Sequence, residues 1–200
     1  MTEIVYLTPQ QKQSAVEVLA SAFERYPVME YVIGADDPQY AEKLQKLVGF
    51  YTQVRFQRNW PVVGLKDNGE VVAMMLLNEP DEGAWIESDS PELHELRAAL
   101  GDEAYSRMVQ FEQASSNFEP DYPHYFLGMI GVKQGVQGKG YAYRLIQHAI
   151  DLSEDHPDSQ AILLSTESEY NISYYLRQGF DLVDETPVGT FVTRCFVRKT

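Results

Sequence analysis

Val132-Lys133-Gln134-Gly135-Val136-Gln137-Gly138-Lys139-Gly140-Tyr141-Ala142 joins an apolar run, Tyr125–Val132, to a stretch with Ala142, Leu145, Ile146, Ala149 and Ile150 at helical spacing. The segment reads as a buried strand, a glycine-rich turn and an amphipathic helix over Tyr141–Leu152. Glycines at 135, 138 and 140 let the backbone adopt left-handed geometry and approach a ligand closely. The helix start presents unpaired N–H groups and the positive end of its dipole, which together attract phosphate. Between Val132 and Ile150 the charged residues are Lys133, Lys139 and Arg144, all basic. An anionic ligand at this turn is one reading; a glycine-rich connector without a ligand is the other. Two common phosphate loops are excluded. A Walker loop ending at Gly138-Lys139 needs glycine at 133 and Ser or Thr at 140, where Lys133 and Gly140 stand. A dinucleotide fingerprint from Gly138 needs a third glycine where Tyr143 stands.

Downstream, Ala161–Leu164 reads as a second buried strand and Ile172–Gln178 as a short helix stopped by Gly179. Phe180–Val183 and Phe191–Val197 close the chain as strands. Strand–helix–strand with buried apolar strands predicts a right-handed crossover and local parallel pairing. Upstream, Val62–Leu65 and Val71–Leu77 flank Lys66-Asp67-Asn68-Gly69, and Asn-Gly is a strong tight-turn signal. Glu3–Leu7 is a short strand; Thr8, Pro9 and Gln11 form the start of a helix that carries Ala15, Val16, Val18, Leu19, Ala22 and Phe23 up to Pro27. A second helix begins at Pro38, with Leu44, Leu47, Val48 and Tyr51 on one face, and ends near Asn59-Trp60-Pro61. After an acidic loop over Glu79–Ser90, a third runs from Pro91 to about Phe118, with an interruption at Gly101-Asp102. The expected fold is α/β in the mixed (α+β) sense: a mostly antiparallel sheet of six to seven strands, flanked by helices, with one parallel crossover.

The chain's 200 residues suit one domain, and a composition 44% hydrophobic and 23% charged is that of a globular protein. Sixteen Lys and Arg against thirty Asp and Glu leave a net charge of −14. Such a surface repels phosphate backbones and anionic lipids, so nucleic acid and membrane are not expected partners. Cationic small molecules are favoured, although acidity also serves plain solubility. One cysteine, Cys195, excludes an internal disulfide framework and a multi-cysteine zinc site. His94, His124, His148 and His156 are scattered, and no metal is expected. With no apolar run of membrane length and no leader at Met1–Tyr6, the expected location is cytoplasmic.

Gln137-x-x-Gly140-x-Ala142, following an apolar strand that ends in Val132, resembles the (Gln/Arg)-x-x-Gly-x-(Gly/Ala) acetyl-CoA motif of the GNAT superfamily of N-acetyltransferases. Asn171-Ile172-Ser173-Tyr174-Tyr175-Leu176-Arg177-Gln178-Gly179-Phe180, after Leu163-Leu164-Ser165-Thr166, resembles that family's Asn-x-x-x-Tyr-x-x-x-Gly-Phe helix and strand start. The order of elements fits over nearly the whole chain, taken as one domain over 1–200. The Asn171-to-Tyr175 spacing and the Thr193-x-x-Phe196-x-Arg198-Lys199 ending look most like the branch containing puromycin N-acetyltransferase.

The resemblance implies acetyl-CoA as co-substrate and direct transfer of its acetyl group to a small-molecule amine. Backbone N–H groups of Gln137, Gly138, Lys139, Gly140, Tyr141 and Ala142 would cradle the pyrophosphate. Ile130, Gly131 and Val132 would line the pantetheine arm, and a bulge near Met129–Ile130 would turn an N–H toward the thioester carbonyl. Asn171 would hydrogen-bond the cofactor arm, and Tyr175 would protonate the departing thiolate, since thiol and phenol ionise at similar pH, about 8.5 and 10. The implied general base is open: the strand carries no carboxylate, leaving Glu167 and Glu169, with Glu167 the stronger candidate, and His124 structural. Tyr26, Tyr31, Asp36, Asp37, Glu79, Asp81, Glu82 and Glu87 would form an acidic, aromatic wall for a cation. Alternatives are acetylation of a protein or peptide, a non-catalytic acyl-CoA-binding module and a pure interaction protein; the chain is expected as monomer or homodimer.

Overall fold

Glu70–Asn78 carries apolar side chains on both faces of the strand, so it must be covered from two sides, and the rest of the architecture follows from that. In the computed structural model, which describes residues 1–80, 89–116, 118 and 120–200, the elements run in the following order. Strand β1 (Thr2–Tyr6) and a single 3-10 turn lead into α1 (Lys12–Phe23), α2 (Pro27–Ile33) and α3 (Tyr40–Gln57). The hairpin β2 (Val62–Asp67) and β3 (Glu70–Asn78) follows, then α4 (Pro91–Leu100) and α5 (Asp102–Ser115). The C-terminal half is β4 (Tyr125–Val132), α6 (Tyr141–Asp155), β5 (Ala161–Thr166), α7 (Glu169–Arg177), β6 (Asp181–Val188) and β7 (Phe191–Lys199).

The strands form one seven-stranded sheet in the order β1-β2-β3-β4-β5-β7-β6. Its parallel pair is β4–β5, made by the α6 crossover, and the other neighbours are antiparallel. Met74 and Leu76 face a core built with α1 to α5; Ala73, Met75 and Leu77 face a second core built with α6 and Tyr175. Leu145, Ile146 and Ala149 are completely buried there, and a buried Leu or Ile contributes about 1.5–3 kcal/mol. The mixed α/β sheet expected from the sequence is the sheet observed.

Three details differ from the sequence reading. Pro27 does not end a helix; it occupies the first turn of α2, where its missing N–H costs nothing. The third helix is interrupted at Gly101 (φ 82°), as expected, but ends at Ser115 and not near Phe118. The bulge in β4 falls at Gly128, not at Met129–Ile130, because Leu76 pairs with Met129 while Leu77 pairs with Leu127. The extra residue turns Gly128 and Met129 to the same face of the sheet.

Candidate active site

Strands β4 and β5 pair only over Tyr125–Leu127 and Ile162–Leu164, then part. Beyond that point one edge of β4 has no strand beside it. Lys133 donates its N–H to Val72 O across the β3 side at 2.9 Å. By strand alternation the N–H and C=O groups of Ile130 and Val132 point the other way, into the opening. The bulge at Gly128 stands at the fork.

At the end of β4 the turn has the geometry a phosphate site needs. Gly135, Gly138 and Gly140 have φ of 82°, 80° and 77°, and no atom lies within 4 Å of a Cβ built on any of them. Helix α6 begins at Tyr141 with no side chain capping it and no acidic residue in its first turn. Its leading N–H groups are left for a ligand or water. Because the space around Gly140 is open, Gly140→Ala tests backbone strain alone. It should destabilise the protein by about 1–2 kcal/mol, the cost of left-handed geometry, seen as a lower denaturation midpoint in urea; an unchanged midpoint would contradict the assigned φ.

The basic trio divides on inspection. Lys133 pairs with Glu70 at 2.6 Å, and Arg144 donates to Thr2 Oγ1. Lys139 stands 6.0 Å over the Tyr141 ring. Tyr141 itself is buried and donates to Asp67 at 2.7 Å, so it has a backbone N–H, not a side chain, to offer the turn. Gln137 reaches back to Val132 O at 3.4 Å. Gly131 is covered by α1, where Ala22 would lie 2.5 Å from an added Cβ.

From the fork opens a cavity of about 1010 Å³, walled by α1 to α3, α5, β4, β5 and α7. Ile130, Glu167, Asn171 and Tyr175 line it together, and so do Tyr26, Tyr51, Arg55, Glu79 and Glu112. Of the expected acidic wall, Tyr26 and Glu79 are there. Tyr31 instead donates to Gln110, Asp37 pairs with Lys43, and Asp36 is exposed away from the cavity. Asp81, Glu82 and Glu87 lie outside the described residues. Glu169 points to solvent and pairs with Arg194 at 3.7 Å, which separates it from Glu167 as a candidate base. His124 contacts Tyr122 O at 2.8 Å.

Glu167 is buried and held from two sides. Thr193 Oγ1 donates to its carboxylate at 2.9 Å, and Tyr26 bonds it as well. The proton on Tyr26 follows from its neighbours. Thr166 Oγ1 accepts from Asn171 Nδ2 (3.1 Å) and Ser168 N (3.3 Å), so its own proton goes to Tyr26 Oη at 2.9 Å. Tyr26 Oη also accepts the Glu167 N–H at 3.1 Å, leaving its proton for the Glu167 carboxylate. Burial nonetheless raises the Glu167 pKa above its ordinary value, against the two hydrogen bonds and with help from the negative charge of Glu112. Tyr175 is buried with its ring against Phe180 and Phe196 at 5.9 and 5.6 Å, and burial raises its pKa too. A raised carboxylate can accept a proton near neutrality; a raised phenol keeps its own and can only give it.

Arg55 and Glu112 were not found in the sequence. Each has a visible signal in retrospect. Arg55 continues the Leu44, Val48, Tyr51 stripe of α3 by one helical step, and Glu112 follows buried Met108 by four residues on α5. A charge on an apolar stripe is either mispaired or functional. Tyr51 donates to Glu112 in a short hydrogen bond, and burial raises the Glu112 pKa.

Among the described residues no group of three or more His, Cys, Asp and Glu could hold a metal ion, and no helix is long and apolar enough to cross a membrane. The sequence profile of the acetyltransferase (GNAT) family matches residues 25–180, and the chain belongs to that family of acetyl-CoA-dependent N-acetyltransferases. No curated protein sequence matches it. Among solved structures it resembles the histone acetyltransferase HPA2 and related acetyltransferase of Corynebacterium glutamicum, at 22% identity and TM-score 0.75, covering 100% of this chain and 97% of that one. It also resembles the Drosophila melanogaster polyamine N-acetyltransferase that forms N-acetylagmatine, at 13% identity and TM-score 0.64, covering all of both chains. A third is the PaiA N-acetyltransferase of Thermoplasma acidophilum in complex with coenzyme A, at 14% identity and TM-score 0.59, covering 100% and 99%.

Proposed function

We propose that the whole chain, residues 1–200, acts as one catalytic domain that acetylates a small-molecule amine by direct attack on acetyl-CoA. The observation that carries this reading is the pairing of a buried carboxylate, Glu167, with a buried phenol, Tyr175, on one cavity at the β4–β5 fork. The glycine turn fits the carrier: its backbone is left-handed where Gly138 and Gly140 stand, and the space beside it is open. Main-chain groups from Gln137 to Ala142 would hold the diphosphate, and the outward-facing groups of Ile130 and Val132 the arm. Gly131 and Lys139 serve as backbone in the same path. Asn171, whose Nδ2 is engaged by Thr166, would offer its Oδ1.

Acetyl-CoA, when bound, supplies an acetyl group already activated as a thioester. An ammonium acceptor beside Glu167 would give one proton to that carboxylate, freeing the nitrogen lone pair that forms the new bond to the acetyl carbon. The second N–H proton would leave the nitrogen as the C–S bond breaks and restore the one that Tyr175 gives up. Backbone N–H groups at the bulge would stabilise the charge developing on the carbonyl oxygen. As the C–S bond breaks, Tyr175 would donate to the thiolate. Burial raises the Tyr175 phenol above its ordinary value, so it holds its proton until the thiolate departs.

Depth supports a small acceptor, and the carboxylates of Glu79, Glu112 and Glu167 support one that is cationic before it reacts. The polyamine acetyltransferase of similar fold acts on acceptors of that kind. A closer kinship with the puromycin N-acetyltransferase branch, a cytoplasmic location and a monomer or homodimer belong to the same proposal, the first resting on the Asn171–Tyr175 register. The test is thiol release from acetyl-CoA across neutral and cationic amines and lysine peptides. Release with small amines is expected, faster than with lysine peptides; release with peptides alone, or none at all, would refute the reading.

A further inference from the structure

Arg55 is 4% exposed, and among the described residues no carboxylate lies within ion-pair distance of its guanidinium, although the charge of Glu112 acts on it at longer range. None of the ion pairs among the described residues includes it. Its guanidinium makes a hydrogen bond from Nη1 to Tyr51 O at 3.1 Å and stands 5.8 Å from the centre of the Tyr51 ring, while its Nε is buried with no acceptor at all. The neighbouring carboxylate, Glu112, accepts from Tyr51 instead. The fold makes room for this arrangement. A Cβ at position 128 would lie 2.5 Å from Arg55 Nη2, so only glycine at the bulge lets the charge rest against β4. Asn78 Oδ1, on the same cavity, is also buried without a partner.

Arginine is rarely buried unless paired, and Glu112 compensates this one only beyond ion-pair distance. Burial lowers its pKa only to about 10, so the guanidinium remains charged at neutral pH. A planar fork with unused donors matches a carboxylate better than any other small group. Across the cavity Glu167 and Tyr175 form the amine-accepting side. We propose that the acceptor is an amine that also bears a carboxylate, with Arg55 binding the acid group as a specificity residue. This rests on the acetyltransferase reading above and sharpens it: the carboxylates of the cavity suit the amine, and Arg55 adds a place for an acid group on the same molecule.

The experiment measures thiol release with matched acceptors, glycine, β-alanine and phenylalanine against their carboxamides. The carboxamide amines are the more readily deprotonated, so intrinsic reactivity works against the expected preference. For the wild type, kcat/KM should favour the acids by about 10- to 100-fold, the value of a hydrogen-bonded charge pair. Arg55→Gln should bring that ratio to about one, and Arg55→Lys should restore part of it, because charge returns without the fork. A wild-type ratio near one would overturn the proposal whether or not the variants fold. So would an equal loss on acids and carboxamides in Arg55→Gln, which would make Arg55 a stabiliser of the reacting carbonyl. Failure of every amine in both series while other small amines still release thiol would overturn the proposal and leave the acetyltransferase reading standing; no release with any amine, with acetyl-CoA still bound by calorimetry, would overturn both.

Discussion

Glu167→Gln is expected to lower kcat/KM by about 10³-fold, within the range for a lost general base, and to erase the acid limb of the pH–rate profile. The direction of that limb follows from the site. Burial raises the Glu167 pKa above the ordinary carboxylate value, so the wild-type rate should fall as pH drops through that raised value, sooner than an exposed glutamate would cause. Stability should respond in the opposite sense. A carboxylate with a raised folded pKa disfavours the fold while ionised, and the fold gains relative to the unfolded chain as pH falls through that pKa toward the ordinary carboxylate value. Gln carries no charge to desolvate, so the variant should melt no lower than wild type at pH 7. Inactive and no less stable is the expected pair of results. An active variant with an intact acid limb would move the base elsewhere, with Glu112 the next carboxylate on the cavity.

Tyr175→Phe should lower kcat by about 10²-fold, the scale of lost acid catalysis, while acetyl-CoA binds as before. The ring is fixed by Phe180 and Phe196, and phenylalanine preserves those contacts, so the change removes a proton donor and little else. Thioester analogues with better leaving groups separate this from a packing effect. As the leaving thiolate becomes more stable, the deficit of Tyr175→Phe should shrink, because less protonation is needed. A deficit that stays constant across the series would mean the hydroxyl acts on binding and not on departure.

Local signals made the C-terminal half legible. The apolar run of β4, the glycines before α6 and the Gly179 stop after α7 each act within a few residues; β4 and α6 begin where they were expected, and α7 begins three residues earlier, at Glu169. Glu167 and Tyr175 could be named because they lie within a few residues of that framework. Where pairing or packing decides, the sequence was silent. The bulge sits at Gly128 because β3 sets the register of β4. Pro27 reads equally as a stop and as a start, and the choice of α2 depends on burying Val28, Met29, Val32 and Ile33. Lys133 and Arg144 looked like an anion field, but Glu70 and Thr2, distant in sequence, engage them. Arg55 and Glu112 come from helices on the far side of the sheet, and only the fold brings them to Tyr175.

A structure with coenzyme A bound tests the central claim most directly. The sulfur should lie within hydrogen-bonding reach of the Tyr175 hydroxyl, at the β4–β5 fork, with the diphosphate against the N–H groups of Gln137 to Ala142. A sulfur placed away from Tyr175, or a carrier bound outside the fork, would contradict the account.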